Sequence, residues 1–516
     1  MSSQLAKRVR MLQWAVVLVV GVIVVAIVLG LKLIPRLNDG QKVLDAARPA
    51  FAAERIAGDR AGINIISDDL YMAEPLVTPQ GGGAAEVPGL VAYLAQKNHI
   101  SPARALAVMK KDFPHTMALL QAIPLTSVSA ELPGLLAFLG EELKLTPTQL
   151  DAALNANFPA LAGSIANLPK VTAGWESIPG IDGLTRFDGA PVRSVPELST
   201  YFTSDLIPVL ERQRGNYDSL DGTSSVNWFA PLLLVVGIVM IAFAALMIVR
   251  NRRGVSRTEA IASASVVVVV GVAVVALVLA LSLIPRVSNG QKLLDALRPA
   301  YAQQRVAGDR VGINMVSTIV DAEDPVMTAS GGAAPEVPKL IAFVSQKTGL
   351  SQAQVLTVLH SKFPHIAALL EAIPFSAVTA ELPGVIKAIG PRVLTVVPRL
   401  ARTALAAPLV TRGWDALRRA GVPGTAKLTR FSGTPVSTVP QIRTYFSSDV
   451  IPVLETQRSN YDYLVSTSKI NFLGPLVLII GIIVILYGLL IVFRAWRLQP
   501  QLAAGTRPTP LPTRRS

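Results

Sequence analysis

The chain has 516 residues, no cysteine, four histidines and a formal net charge of +14. The missing cysteines exclude disulfides, thiolate metal sites and a cysteine nucleophile. With aromatic residues at only 6% and much of the positive charge in short clusters beside apolar runs, no nucleic-acid partner is expected, and topology accounts for the charge.

Residues 1–13 carry Lys7, Arg8 and Arg10 and precede an apolar run, Trp14–Ile34. Three more runs follow at Phe229–Val249, Ile261–Leu283 and Phe472–Phe493. Each has just over 20 residues, which at 1.5 Å per residue reaches about 30 Å, the thickness of bilayer hydrocarbon. The first run is too long for a signal peptide, and Leu31-Lys32-Leu33-Ile34-Pro35 offers no small-x-small cleavage site, so it reads as an uncleaved anchor. Arg250, Arg252, Arg253 and Arg257 fill the loop 250–260, and Arg494, Arg497, Arg507, Arg514 and Arg515 follow the fourth run. The positive-inside rule places these clusters and both termini in the cytoplasm, with segments 35–228 and 284–471 outside. The tail 494–516 reads as disordered.

Beyond the first span, a helix is expected over Gln41–Ala57, with Asn38 and Gln41 at capping-box spacing and Gly58 at its end. The next polar block, Asp59-Arg60 with Asn64, is the best binding candidate, because an arginine fork suits a carboxylate or phosphate. The favoured reading is nevertheless that Asp59 and Arg60 hold the turn after the helix by local hydrogen bonds. Gln80-Gly81-Gly82-Gly83 reads as a flexible loop. Two units then repeat at a spacing of 45 residues, 88–124 and 133–169. Each has a helix, a second helix capped by Ser101 or Thr146, a Phe-Pro break (Phe113-Pro114, Phe158-Pro159) and a third helix. His115 follows the first break, and a structural histidine is the favoured reading. Leu184–Gly189 resembles a short strand with an Asp-Gly turn, giving at most one hairpin per outer domain. A last helix over Ser204–Leu220 leads to the second span.

The chain then starts again. Gly40-Gln41-Lys42 returns as Gly290-Gln291-Lys292 at an offset of 250, and Asp59, Arg60, Asn64 and His115 return as Asp309, Arg310, Asn314 and His365. The loop recurs as Ser330-Gly331-Gly332, and Ser351 with Gln354 makes a capping box. An 11-residue contraction after Pro383-Gly384 falls in the second nested unit, after which Gly174-Trp175 matches Gly413-Trp414 at 239. In the spans, Ala26 with Gly30 and Ala276 with Ala280 are spaced for close helix approach.

The expected fold is a mainly α membrane protein. It has four transmembrane helices in two tandem repeats of span, extracytoplasmic helical domain and span, related by a pseudo-twofold axis along the membrane normal. The block Gly40–Ala50, repeated as Gly290–Ala300, together with the Phe-Pro-His unit, resembles duplicated membrane proteins of actinobacteria. The resemblance implies a cell-envelope setting in the plasma membrane.

No nucleotide loop, zinc-helix motif or nucleophile elbow is present. The sequence therefore assigns no catalytic or metal-binding residue and no cofactor, and a non-enzymatic role is expected. The leading reading is an accessory or scaffold protein whose outer domains bind a partner protein or an apolar or lipid ligand, with an oligomer compatible. A sensor acting through a separate cytoplasmic partner, or a transporter or channel component, is the alternative.

Overall fold

The computed structural model describes residues 3–221, 227–253, 256–465 and 471–497. The tail residues Arg507, Arg514 and Arg515, and Gly254-Val255 of the loop, lie outside them. The described chain is mainly helical, and four helices are long and apolar enough to cross a membrane: Met11–Gly30, Phe229–Asn251, Thr258–Ala280 and Leu473–Arg494. Two further helix pairs, Pro114–Ala122 with Leu125–Leu143 and Pro364–Ala372 with Phe375–Ile389, pass the same test if each is counted as one span. They bend by 79° and 83°.

The chain divides into two compact units. One comprises 1–48, 213–298 and 457–516 and holds the four long helices. Here the first helix packs on the second and the third on the fourth. The contacts turn on glycine: a Cβ at Gly21 would sit 3.0 Å from the Gly237 carbonyl oxygen, and one at Gly271 would sit 3.1 Å from that of Gly481. Small residues let membrane helices meet backbone to backbone. The residues expected in that role, Ala26, Gly30, Ala276 and Ala280, are all exposed instead. Extensions of the long helices are tied by Arg36, whose Nη2 donates to the Leu464 carbonyl at 2.7 Å, and by Tyr217, whose hydroxyl donates to the Leu44 carbonyl at 2.8 Å.

The second unit comprises 49–212 and 299–456. The segments expected as two outer domains thus contribute to one body. Its largest core runs through both, from Ile63 and Trp175 to Ile319, Trp414 and Tyr445. Helix Ala53–Val77 packs on Pro398–Ala416 of the second copy, and Gln303–Met327 packs reciprocally on Pro159–Gly174 of the first.

Several local expectations hold in this unit. Ser101 caps Pro102–Asp112, while Thr146–Gln149 and Ser351–Gln354 form capping boxes. Proline lacks the amide that would continue a helix, and new helices begin at Pro114 and Pro159. The 11-residue contraction replaces the helix Pro147–Asn157 by a single turn, Val393–Val396.

Others are corrected. Gly58 and Gly308 lie inside helices, Ala53–Val77 and Gln303–Met327, and do not end them. They are there because another backbone passes: a Cβ on Gly58 would lie 2.9 Å from Leu428 Cα, and one on Gly308 would lie 2.7 Å from Leu184 Cβ. The hairpins are absent among the described residues, which contain no strand. The Asp-Gly turn exists, with Gly189 at φ +91°, but it closes only an isolated bridge, Thr185 to Pro191, and Thr429 to Pro435 does the same in the second copy. Val192 still donates to the Leu184 carbonyl at 2.9 Å, but the Leu184 amide turns back to the Ile181 carbonyl, so pairing stops there before a strand can form. The glycine loops are tight turns, because Gly81 and Gly331 are pressed against the carbonyls of Glu74 and Asp324.

Candidate functional site

The sequence-selected residues fall into three environments, all within the second unit. Asp59 and Asp309 are 4% and 2% exposed. Each lies beside a tyrosine from the opposite copy, Asp59 beside Tyr445 and Asp309 beside Tyr201. Arg55 and Arg305, one helical turn earlier, reach the same places: Arg55 donates to Thr429 and to the Arg430 carbonyl, and Arg305 to Thr185 and the Arg186 carbonyl. Their guanidinium groups also cover the rings of Phe431 and Phe187, at 5.1 and 4.7 Å. Neither arginine was singled out from the sequence, although both precede the Asp-Arg pair at the same spacing.

Arg60 and Arg310 point the other way. They are exposed and bridge to Glu211 and Glu455, so the two members of each Asp-Arg pair do different work. Asn64 and Asn314 are exposed.

His115 and His365 belong to a third arrangement. Each imidazole Nδ1 meets a carbonyl of the opposite copy, Glu371 at 2.9 Å and Gln121 at 3.0 Å. Their backbone amides are held more firmly. Glu381 accepts from the amides of His115 and Thr116, and Glu131 accepts from those of His365 and Ile366. Glu336 accepts from Ala160 and Leu161, and Glu86 from Arg399 and Leu400.

A helix start leaves its first amides without partners and carries partial positive charge, so a carboxylate there is favoured. All four helix starts after the proline breaks are capped in this way, each by a glutamate of the other copy. The signal was present in the sequence. Every nested unit has a glutamate two residues before its first proline: Glu86-Val87-Pro88, Glu131-Leu132-Pro133, Glu336-Val337-Pro338 and Glu381-Leu382-Pro383.

The capped helices surround an apolar cavity of about 190 Å³. Matching positions from both copies line it, among them Leu76 and Val326, Leu90 and Leu340, Leu119 and Leu369, Val128 and Val378, and Leu132 and Leu382. This exceeds the roughly 150 Å³ engineered cavity that takes benzene. The sequence pointed to an apolar ligand in the outer domains, but not to one cavity walled by both copies, because its walls come from two segments some 250 residues apart.

Burial pushes the carboxyls of Asp59 and Asp309 up to about 7, although the neighbouring tyrosine and arginine pull them back. An unfolded aspartate titrates near 3.8. Below that value both states hold the proton. Between about 4 and 7 the unfolded chain releases it first, so stability falls as pH rises through this window and levels off above it. Asp205 and Asp449 do not offset this: burial raises them, but Arg186 and Arg430 with adjacent amides outweigh it and hold them below the usual value. Their contribution is lost only in acid below that window. The double variant Asp59→Asn/Asp309→Asn is expected to flatten the fall in melting temperature between pH 4.5 and 8 by roughly half, the other acids that burial raises, Asp68, Asp69, Glu323 and Asp324, supplying the rest. An unchanged slope would assign the pH dependence elsewhere.

Comparison with protein-family models, curated proteins and solved structures gave no match.

Proposed function

We propose that this is a multi-pass protein of the plasma membrane in a cell envelope, and that its paired outer segments bind an apolar or lipid ligand in a shared cavity. The cavity carries the reading. Left unfilled, an apolar void of this size costs free energy, up to about 4–5 kcal/mol if fully enclosed, at roughly 24 cal/mol per Å³, against the ~5–15 kcal/mol that is typical of a whole domain. A ligand that fills it offsets that cost. The basic clusters support cytoplasmic termini, with segments 35–228 and 284–471 outside. On this reading the protein is an accessory or scaffold in handling an envelope component, and is not an enzyme. The buried acids and their tyrosines act as keys between the copies, and the four glutamates as caps.

Native mass spectrometry of the full-length protein, released from detergent after incubation with a total envelope lipid extract, tests the proposal. One bound molecule per chain is expected. Ala404→Trp, which projects an indole into the cavity, should abolish the adduct while leaving the melting temperature unchanged or higher. Absence of any adduct on the unmodified chain would refute ligand carriage by this unit.

A further inference from the structure

The cavity wall contains one acid, and it breaks the correspondence between the two copies. Glu323 lines the cavity, whereas the position 250 residues earlier is Ala73. Beside Glu323 lies Asp69, 1% exposed, whose own counterpart is Ile319. Apart from each other, neither Asp69 nor Glu323 Oε2 has a hydrogen-bond donor in the chain. Burial and mutual repulsion push Glu323 well above the carboxylate range, and burial pushes Asp69 up to about 7. Two adjacent carboxyls in such a site share a proton, because both cannot ionise.

Most other polar groups on the wall are engaged. Ser164, Thr379, Thr403 and Thr411 donate to the carbonyls of Ala322, Ser376, Met72 and Ala407. Thr116 differs: it is 6% exposed, lines the cavity, and its hydroxyl has no partner. An apolar cavity with a few unmatched polar groups is the usual form of a site that orients its ligand.

We propose that Glu323, with Asp69 beside it and Thr116 as a second polar point, is the anchor for the polar end of the ligand, and that this ligand is a hydrophobic alcohol: an apolar body bearing a hydroxyl. This rests on the cavity being a ligand site. A hydroxyl both donates and accepts, matching a proton-sharing carboxyl pair, and it needs no charge in a buried place. A wholly apolar ligand would leave Glu323, the acid on the cavity wall, with no partner but Asp69, and a hydrogen bond to a charged or charge-sharing group is the stronger kind.

The test is photolabelling of the full-length protein in detergent micelles with a diazirine-bearing octanol and, separately, its diazirine-bearing octane counterpart. Adducts on cavity residues are counted by peptide mass spectrometry and normalised to adducts on the four long helices, which corrects for partitioning. The alcohol is expected to label the cavity about tenfold more efficiently than the alkane. Glu323→Ala, which installs the residue of the other copy, should bring the two probes to about parity, and Asp69→Asn should narrow the gap. If Glu323→Ala melts early by tryptophan fluorescence, Glu323→Gln replaces it.

Equal labelling of the unmodified cavity by both probes would overturn the alcohol assignment and leave the cavity reading standing. A preference that survives loss of Glu323 would overturn the anchor. No labelling of the cavity by either probe would bring down both readings.

Discussion

Replacing Glu131 and Glu381 together by alanine is expected to destabilise the second unit by about 1.5–3 kcal/mol per site, the range for hydrogen bonds to a charged group. Each glutamate accepts two backbone amides at a helix start of the opposite copy. Its removal leaves those amides unsatisfied and takes a negative charge from the positive end of the helix. The helices concerned, Pro114–Ala122 and Pro364–Ala372, pack on each other, so the two losses should couple. Trp175 and Trp414, 2% and 4% exposed in the shared core, report unfolding through their fluorescence. The glutamine double variant keeps the acceptors and should lose less. A melting temperature within one degree of the unmodified protein for the alanine variant would show that these caps do not hold the copies together.

Gly81→Ala is expected to cost about 3 kcal/mol, the upper end for overpacking, although it adds a single carbon. A Cβ there would lie 1.9 Å from the Glu74 carbonyl oxygen, and at Gly331 it would lie 2.1 Å from that of Asp324. A backbone atom cannot rotate aside as a side chain can, so the whole turn must move. Gly163→Ala is the internal contrast, since it sits in the helix Pro159–Gly174 with nothing within 4 Å of the added carbon. It should stabilise by about 0.5–1 kcal/mol. If Gly81→Ala melts with the unmodified protein, the turn has more room than its contacts indicate.

What the sequence made legible was mostly local, although the cap expected at Asn38 and Gln41 lies inside the helix Leu33–Phe51, and the helix expected over Gln41–Ala57 breaks at Ala52. Span length, proline breaks and the caps at Ser101, Thr146 and Ser351 are decided by neighbours a few residues away, and they read correctly. The 11-residue contraction also fell where a helix is missing. What depended on distant partners was misread or unseen. Gly58 looked like a helix terminator, because sequence cannot show the Leu428 backbone that passes it. Gly81–Gly83 looked flexible for the same reason. Asp59 and Arg60 are adjacent in the chain, yet one is buried against Tyr445 and the other is exposed. Only the glutamate before each first proline was both distant in effect and visible in pattern.

The exchanged caps have an evolutionary corollary. A polypeptide carrying one copy alone would own two glutamates and two proline-led helix starts that cannot serve one another, and it would find both partners on a second identical chain. The second unit thus has the contacts expected of a homodimer whose subunits share one chain. Sharing one chain lifts a constraint that symmetry imposes. In a homodimer every acid would appear twice, Asp69 from the first half or Glu323 from the second, at two symmetry-related places. A fused gene can vary each half independently, and this one holds Ala73 and Ile319 where the duplicates would stand. The chamber thereby acquires a single polar end, and with it a head and a tail.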